Sequence, residues 1–164
     1  MTEQDPVDSA WRIHGALADW TGKVDTKASF VLTIESALLV TIVALSGSGR
    51  RLYGLDGGAR VIFWIGVSAI ILGVVAVALV VKPRVRRRDV AGEWPQNYIF
   101  FGHLQFWSPA DLEVALAERP LLPVLTRQLV NMSKIAWRKH LLVEVSLLCA
   151  VVGTALVVLA ALLR

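Results

Sequence analysis

At 164 residues the chain is 55% hydrophobic and only 18% charged, with a mean hydropathy of +0.60. Soluble domains rarely reach that composition, and the apolar residues stand in long blocks rather than at a helix or strand period, which excludes an ordinary water-soluble fold. The formal net charge of +4 is modest, and the one strong basic cluster is short and abuts an apolar block, so no DNA or RNA duplex is expected as a partner.

The chain opens with a helix signal. Asp8 or Ser9 can cap a helix that begins at Trp11. Ile13, Leu17, Trp20 or Thr21, Val24 and Ala28 then recur at helical spacing and lead straight into the first apolar block, residues 28–45. One long helix is expected, with residues 1–27 as a cytoplasmic N-terminal helix. The block is too long for the core of a cleaved signal and lacks a small-residue cleavage pattern behind it, so it is read as a retained span.

Ser46-Gly47-Ser48-Gly49 ends that span, and Gly54, Gly57 and Gly58 predict a flexible outer loop over 46–60. The second block, 61–81, carries no charge. Gly66, Ala69, Gly73 and Ala76 form a small-residue stripe along it, and Ser146, Ala150 and Gly153 form another on the third block, 141–163. Such stripes let helices approach closely, either within one three-helix unit or between copies of the chain. The single cysteine, Cys149, lies in the third block and reads as a small packing residue.

Each block is about the length that crosses a bilayer as a helix. Between the second and third lies a helical region over 82–139 that opens on Arg84-Val85-Arg86-Arg87-Arg88. Ser108-Pro109-Ala110-Asp111 supplies a hydroxyl cap, a first-turn proline and an acid three residues on, so a helix starts there and ends near Arg119-Pro120. Another should begin around Pro123, carry Leu125, Leu129, Met132 and Ala136 on one face, and run without a breaker into the third span. The fold expected is all-α: a single membrane domain of three transmembrane helices with a small cytoplasmic layer built from helix extensions. With the N-terminus inside, thirteen Lys and Arg residues are cytoplasmic and four (Arg50, Arg51, Arg60 and Arg164) lie outside. The positive-inside rule therefore places the N-terminus in the cytoplasm and the C-terminus outside.

No constellation points to an enzyme. His14, His103 and His140 have no metal-ligand spacing, and there is no nucleophile elbow, phosphate loop or dinucleotide glycine pattern, so neither metal nor cofactor is expected. Two acids sit in apolar surroundings, Glu35 in the first span and Glu144 nearer the cytoplasmic end of the third. Glu35 either lines a polar seam, with Thr33, Ser36 or Thr41 nearby, or locks helix packing through a hydrogen bond. The arginine run has two readings as well. It anchors topology against anionic lipid, or its guanidinium forks grip a phosphate. Arg84, Arg86, Arg87 and Arg88 are then the phosphate candidates, with Asn97, Tyr98 and Phe101 near the base. Trp94, Phe100, Phe106 and Trp107 are further flat faces in the same stretch.

Three blocks in register carry a family resemblance. Asp25-Thr26-Lys27-Ala28-Ser29 enters the first span, Ile99-Phe100-Phe101-Gly102-His103-Leu104 precedes a short acidic helix, and Gln128-Leu129-Val130-Asn131-Met132-Ser133-Lys134-Ile135-Ala136 is followed by Lys139. In these the chain resembles the transmembrane effectors of Pycsar bacterial antiphage systems, with Asp25, Lys27, Ala28, Phe101, Gly102, Gln128 and Lys139 at the motif positions. The resemblance implies a bacterial inner-membrane effector. A cyclase makes cyclic UMP or cyclic CMP on infection, and the effector impairs the membrane so that the cell dies before phage mature. Its expected partners are a cyclic pyrimidine nucleotide, the lipid bilayer and further copies of itself. The alternative is a constitutive scaffold or accessory subunit that binds another membrane protein without a nucleotide.

Overall fold

The computed structural model describes residues 5–82 and 87–164, and of residues 87–89 the backbone alone. Among the described residues there are six α-helices in chain order: α1 Pro6–Leu45, α2 Gly57–Val81, α3 Arg87–Glu93, α4 Phe101–Leu104, α5 Pro109–Glu118 and α6 Leu121–Leu162. There is no β-strand among the described residues. Three of these, α1, α2 and α6, are long and apolar enough to cross a membrane. The all-α class with three spanning helices is therefore what the apolar blocks dictate. In a bilayer a spanning segment must satisfy every backbone polar group internally, and a helix does so.

Helix starts differ from the sequence reading in two places. The first begins at Pro6 rather than near Trp11, because Asp5 Oδ1 accepts from the Val7 N–H at 2.9 Å and proline at the first helical position needs no partner. The last begins at Leu121 and takes Pro123 into its first turn, where a missing N–H costs nothing. The start at Ser108 is as expected: its Oγ accepts from the Asp111 N–H at 3.1 Å, with Pro109 opening α5.

The chain groups into two compact units, Met1–Gly22 with Pro83–Trp137, and Lys23–Lys82 with Arg138–Arg164. In the second unit, Val24, Ala28 and Val31 of α1 pack with Val77 and Val80 of α2 and Val143 of α6. A second cluster joins Ile42 of α1, Phe63, Val67 and Ile70 of α2, and Val157 and Ala160 of α6. Chain order through the two clusters makes α1 and α6 parallel and α2 antiparallel to both. The loop before α2 is more than a flexible tether. Leu52 and Leu55 are buried in the second cluster, while Gly49 and Gly54 make the turns with φ of 74° and 70°.

The small-residue stripes are used within this unit. A Cβ at Gly66 would lie 2.8 Å from the Gly153 carbonyl oxygen, and one at Gly153 would lie 2.6 Å from the Gly66 carbonyl oxygen. The α2 and α6 backbones thus touch at that crossing, which only glycine on both sides permits.

Glu35 falls between the two apolar clusters, fully buried, and its Oε1 accepts from the Ser146 hydroxyl at 2.7 Å. Gly73 completes the site, since a Cβ there would lie 2.9 Å from Glu35 Oε1. Thr33, Ser36 and Thr41 are exposed, and their hydroxyls donate to carbonyls four residues back on their own helix. The Ser146 contact is a hydrogen bond of the kind the packing reading of Glu35 calls for. Glu144, less than one turn from the span's cytoplasm-proximal start in the sequence reading, is exposed.

Two residues marked by the family resemblance meet at the end of this unit where α1 enters it. Lys139 Nζ donates to both carboxylate oxygens of Asp25, at 2.6 and 2.8 Å, across 114 residues of sequence. Ala28 is fully buried one turn further along α1, and Lys27 is exposed.

Candidate functional site

The first unit is built around irregular chain between α3 and α5. A 3-10 turn at Trp94–Gln96 follows α3, and Trp107 folds back over it. The Trp107 indole N–H donates to the carbonyls of Trp94 and Asn97, both at 3.1 Å. Trp94 and Tyr98 stack edge-on against Trp107, the Arg119 guanidinium lies 5.6 Å from its ring centroid, and Arg119 donates to the Pro95 carbonyl at 2.6 Å. These aromatics therefore hold the loop together, as buried aromatics with a polar handle commonly do.

Their work leaves the other half of the segment to line a cavity of about 660 Å³. α1 supplies His14, Ala18 and Thr21, at successive helical steps. α3 supplies Val90 and Glu93, and the chain through α4 supplies Ile99, Phe100, Phe101 and His103. α6 supplies Gln128, Asn131, Met132, Lys134 and Ile135, again one helix face. The volume is that of a small-molecule site, and the lining surface is mostly apolar although half of the lining residues carry a polar group.

Three features fix the local chemistry. Phe100 and Phe101 lie with ring centroids 4.5 Å apart and present flat apolar faces, Phe101 being 70% exposed. Gly102 is a steric requirement, because a Cβ there would run into the Phe100 ring. His103 is only 8% exposed, with Phe100 edge-on at 5.4 Å, and neither ring nitrogen finds a hydrogen-bond partner among the described residues. Its Nε2 lies 3.8 Å from Glu93 Oε2. Burial holds the imidazole below the ordinary histidine range, and the nearby Glu93 carboxylate draws it partway back.

The sequence candidates divide accordingly. Phe101 and the motif positions Gly102 and Gln128 belong to the cavity or its wall. Tyr98 is 5% exposed and packs on Trp107, and the Asn97 side chain donates to the Glu93 carbonyl at 2.9 Å, so neither lines it. Arg84 and Arg86 lie outside the described residues, as do the side chains of Arg87 and Arg88. Sequence reasoning missed His14, Thr21, Glu93, His103, Asn131 and Lys134 as a set. Four-residue and three-residue steps on α1 and α6 were visible, but nothing in the sequence said that those faces enclose a space.

Arranged this way, the cavity can take a flat ring against the phenylalanines, hydrogen-bond its edge through the Gln128 and Asn131 amides, and place an anionic group toward Lys134 or His103. Residues 9–164 match the family described as the Pycsar effector protein domain. No curated protein and no solved structure matches the chain.

Proposed function

This chain belongs to the Pycsar effector family, and we propose that it acts in that antiphage role as a membrane effector switched by a cyclic pyrimidine nucleotide in the cavity of the first unit. The observation that carries this reading is convergence. Two of the three sequence blocks behind the family resemblance, Ile99–Leu104 and Gln128–Ala136, meet at one cavity with α1 as its third wall.

A pyrimidine base stacks on Phe100 or Phe101, and its edge meets Gln128 and Asn131. Base stacking on an aromatic ring contributes about 1–3 kcal/mol. The cyclase product forms in the cytoplasm, so the N-terminus and the cavity face that side and the C-terminus faces outward in the bacterial inner membrane. The excess of Lys and Arg outside the apolar blocks on that side agrees.

α1 and α6 each run unbroken from cavity-lining residues into their apolar segments. A nucleotide that binds two arrangements of these helices with different affinity shifts the balance between them. Three helices enclose no wide pore, so membrane damage requires several copies. The competing scaffold reading leaned on the small-residue stripes, and Gly66, Gly73 and Gly153 are already occupied by contacts inside the unit.

The test is dye release from vesicles carrying the reconstituted protein, with cyclic UMP, cyclic CMP, cyclic AMP and cyclic GMP added separately. Release triggered by a pyrimidine ligand and not by the purines is expected. Inserted, folded protein that releases no dye with any of the four refutes the proposal.

A further inference from the structure

We propose that His103 receives the negative charge of the cavity's ligand, taking up a proton when a singly charged phosphodiester binds. The inference rests on the nucleotide reading of the cavity and goes further by assigning the charge-bearing contact and the ligand's charge state.

Buried polar groups in folded proteins are almost always hydrogen-bonded. His103 breaks that rule while lining a cavity, with Nδ1 and Nε2 both unpartnered among the described residues. Its ring is held edge-on by Phe100, and Gly102 leaves room for that arrangement. At 3.8 Å, Glu93 is beyond hydrogen-bond range of Nε2 yet near enough to favour a protonated ring. Both nitrogens are covered from solvent, so an acceptor atom entering the cavity reaches one of them only as the ring or a neighbour shifts. It would then give the imidazole the partner it lacks.

Charge balance points to the class of ligand. The titratable groups that line the cavity with His103 are Glu93 of α3, 3.8 Å from its Nε2, Lys134 of α6 and His14 of α1. Glu93 and Lys134 carry opposite charges and offset each other, so between them they add no net charge. One proton on His103 supplies one positive charge, which matches the single charge of a cyclic phosphodiester. A linear 5′-monophosphate approaches two negative charges at neutral pH, since its second pKa is about 6. The cavity therefore favours the cyclised nucleotide over its linear hydrolysis product.

The sign of the linkage follows. Burial lowers the His103 pKa from the ordinary histidine value and so favours the neutral ring. A bound anion stabilises the imidazolium and raises its pKa, so binding takes up a proton. Affinity then rises as pH falls through the bound-state pKa and levels off below the free-state value. Each pKa unit gained on binding corresponds to about a tenfold gain in affinity.

Calorimetric titration of the full-length, detergent-purified protein with cyclic UMP and cyclic CMP tests this, using two buffers of equal pH and different ionisation enthalpy. The expected result is a buffer-dependent heat that reports proton uptake near pH 7, and affinity about tenfold higher at pH 6 than at pH 8. Linear UMP and CMP should bind more weakly than their cyclic forms. His103→Gln should lose the proton uptake, whereas His14→Gln should keep it whatever its affinity. Saturable binding with no buffer-dependent heat in the wild-type protein overturns the His103 assignment and leaves the nucleotide reading standing. Proton uptake that survives His103→Gln does the same. If folded wild-type protein binds neither cyclic nucleotide, the nucleotide reading falls and this inference with it. The wild-type buffer comparison decides alone if His103→Gln does not fold.

Discussion

Replacing Gly153 by alanine should separate two helices that now touch through their backbones. The added Cβ would lie 2.6 Å from the Gly66 carbonyl oxygen, 2.6 Å from Ile70 Cγ1 and 3.0 Å from the Ile70 nitrogen, where ordinary contact begins at 3.4 Å. The shortfall is about 0.8 Å, and two of the three obstructing atoms are backbone, so a rotamer change cannot relieve it. Overpacking of this kind costs about 1–3 kcal/mol. Alanine's better helix propensity returns up to about 1 kcal/mol of that. A net loss of about 1–2 kcal/mol is expected, read as a lower midpoint in denaturant titration of the detergent-solubilised protein followed by circular dichroism. Gly15→Ala is the control, because nothing lies within 4 Å of its would-be Cβ, and it should be neutral or slightly stabilising. Gly153→Ala unfolding at or above the wild-type midpoint would refute the backbone contact.

Three further outcomes follow from named contacts. Ser146→Ala leaves both Glu35 oxygens without a hydrogen-bond partner among the described residues, and should cost about 0.6 kcal/mol and at most about 1.7 by the same titration. Lys139 and Asp25 are partly exposed, so their pairing should show a coupling of about 0.5–1 kcal/mol in a double-mutant cycle of Lys139→Met and Asp25→Asn. Gly102→Ala should push the Phe100 ring aside and weaken cyclic nucleotide binding by about tenfold or more, if base stacking contributes about 1–3 kcal/mol there. The same variant should shift the denaturation midpoint little, since the obstructing atoms belong to one side chain.

The membrane helices were legible because a bilayer demands about twenty apolar residues in a row, and no soluble element mimics that. The start of α5 was legible for a similar reason, since its serine, proline and aspartate act locally. The cavity was not. Its walls come from α1, α3, the chain through α4, and α6, the first and last of them more than a hundred residues apart in sequence, and helical periodicity gives a face without naming what the face meets. Ile13 and Trp20 illustrate the limit on α1. They share the helical spacing of Leu17 and Val24 but lie exposed, while Ala10 and Thr21 take their places on the inner side. Tyr98 and Phe101 illustrate it in the loop. The irregular turn after Glu93 sends the tyrosine under Trp107 and the phenylalanine to the cavity, and no period encodes that turn. His14 and His103 were weighed only as metal ligands, a test their spacing fails, so their nearness to one cavity stayed hidden.

The cavity as a cyclic pyrimidine nucleotide site is tested most directly by calorimetric titration of the wild-type protein and of Ala18→Trp, which fills the cavity from α1 without removing a polar group. Saturable binding of cyclic UMP or cyclic CMP, with cyclic AMP and cyclic GMP silent and the response abolished in a folded Ala18→Trp protein, is the predicted result. Equal binding by both proteins, or no binding by the folded wild type, would contradict the account.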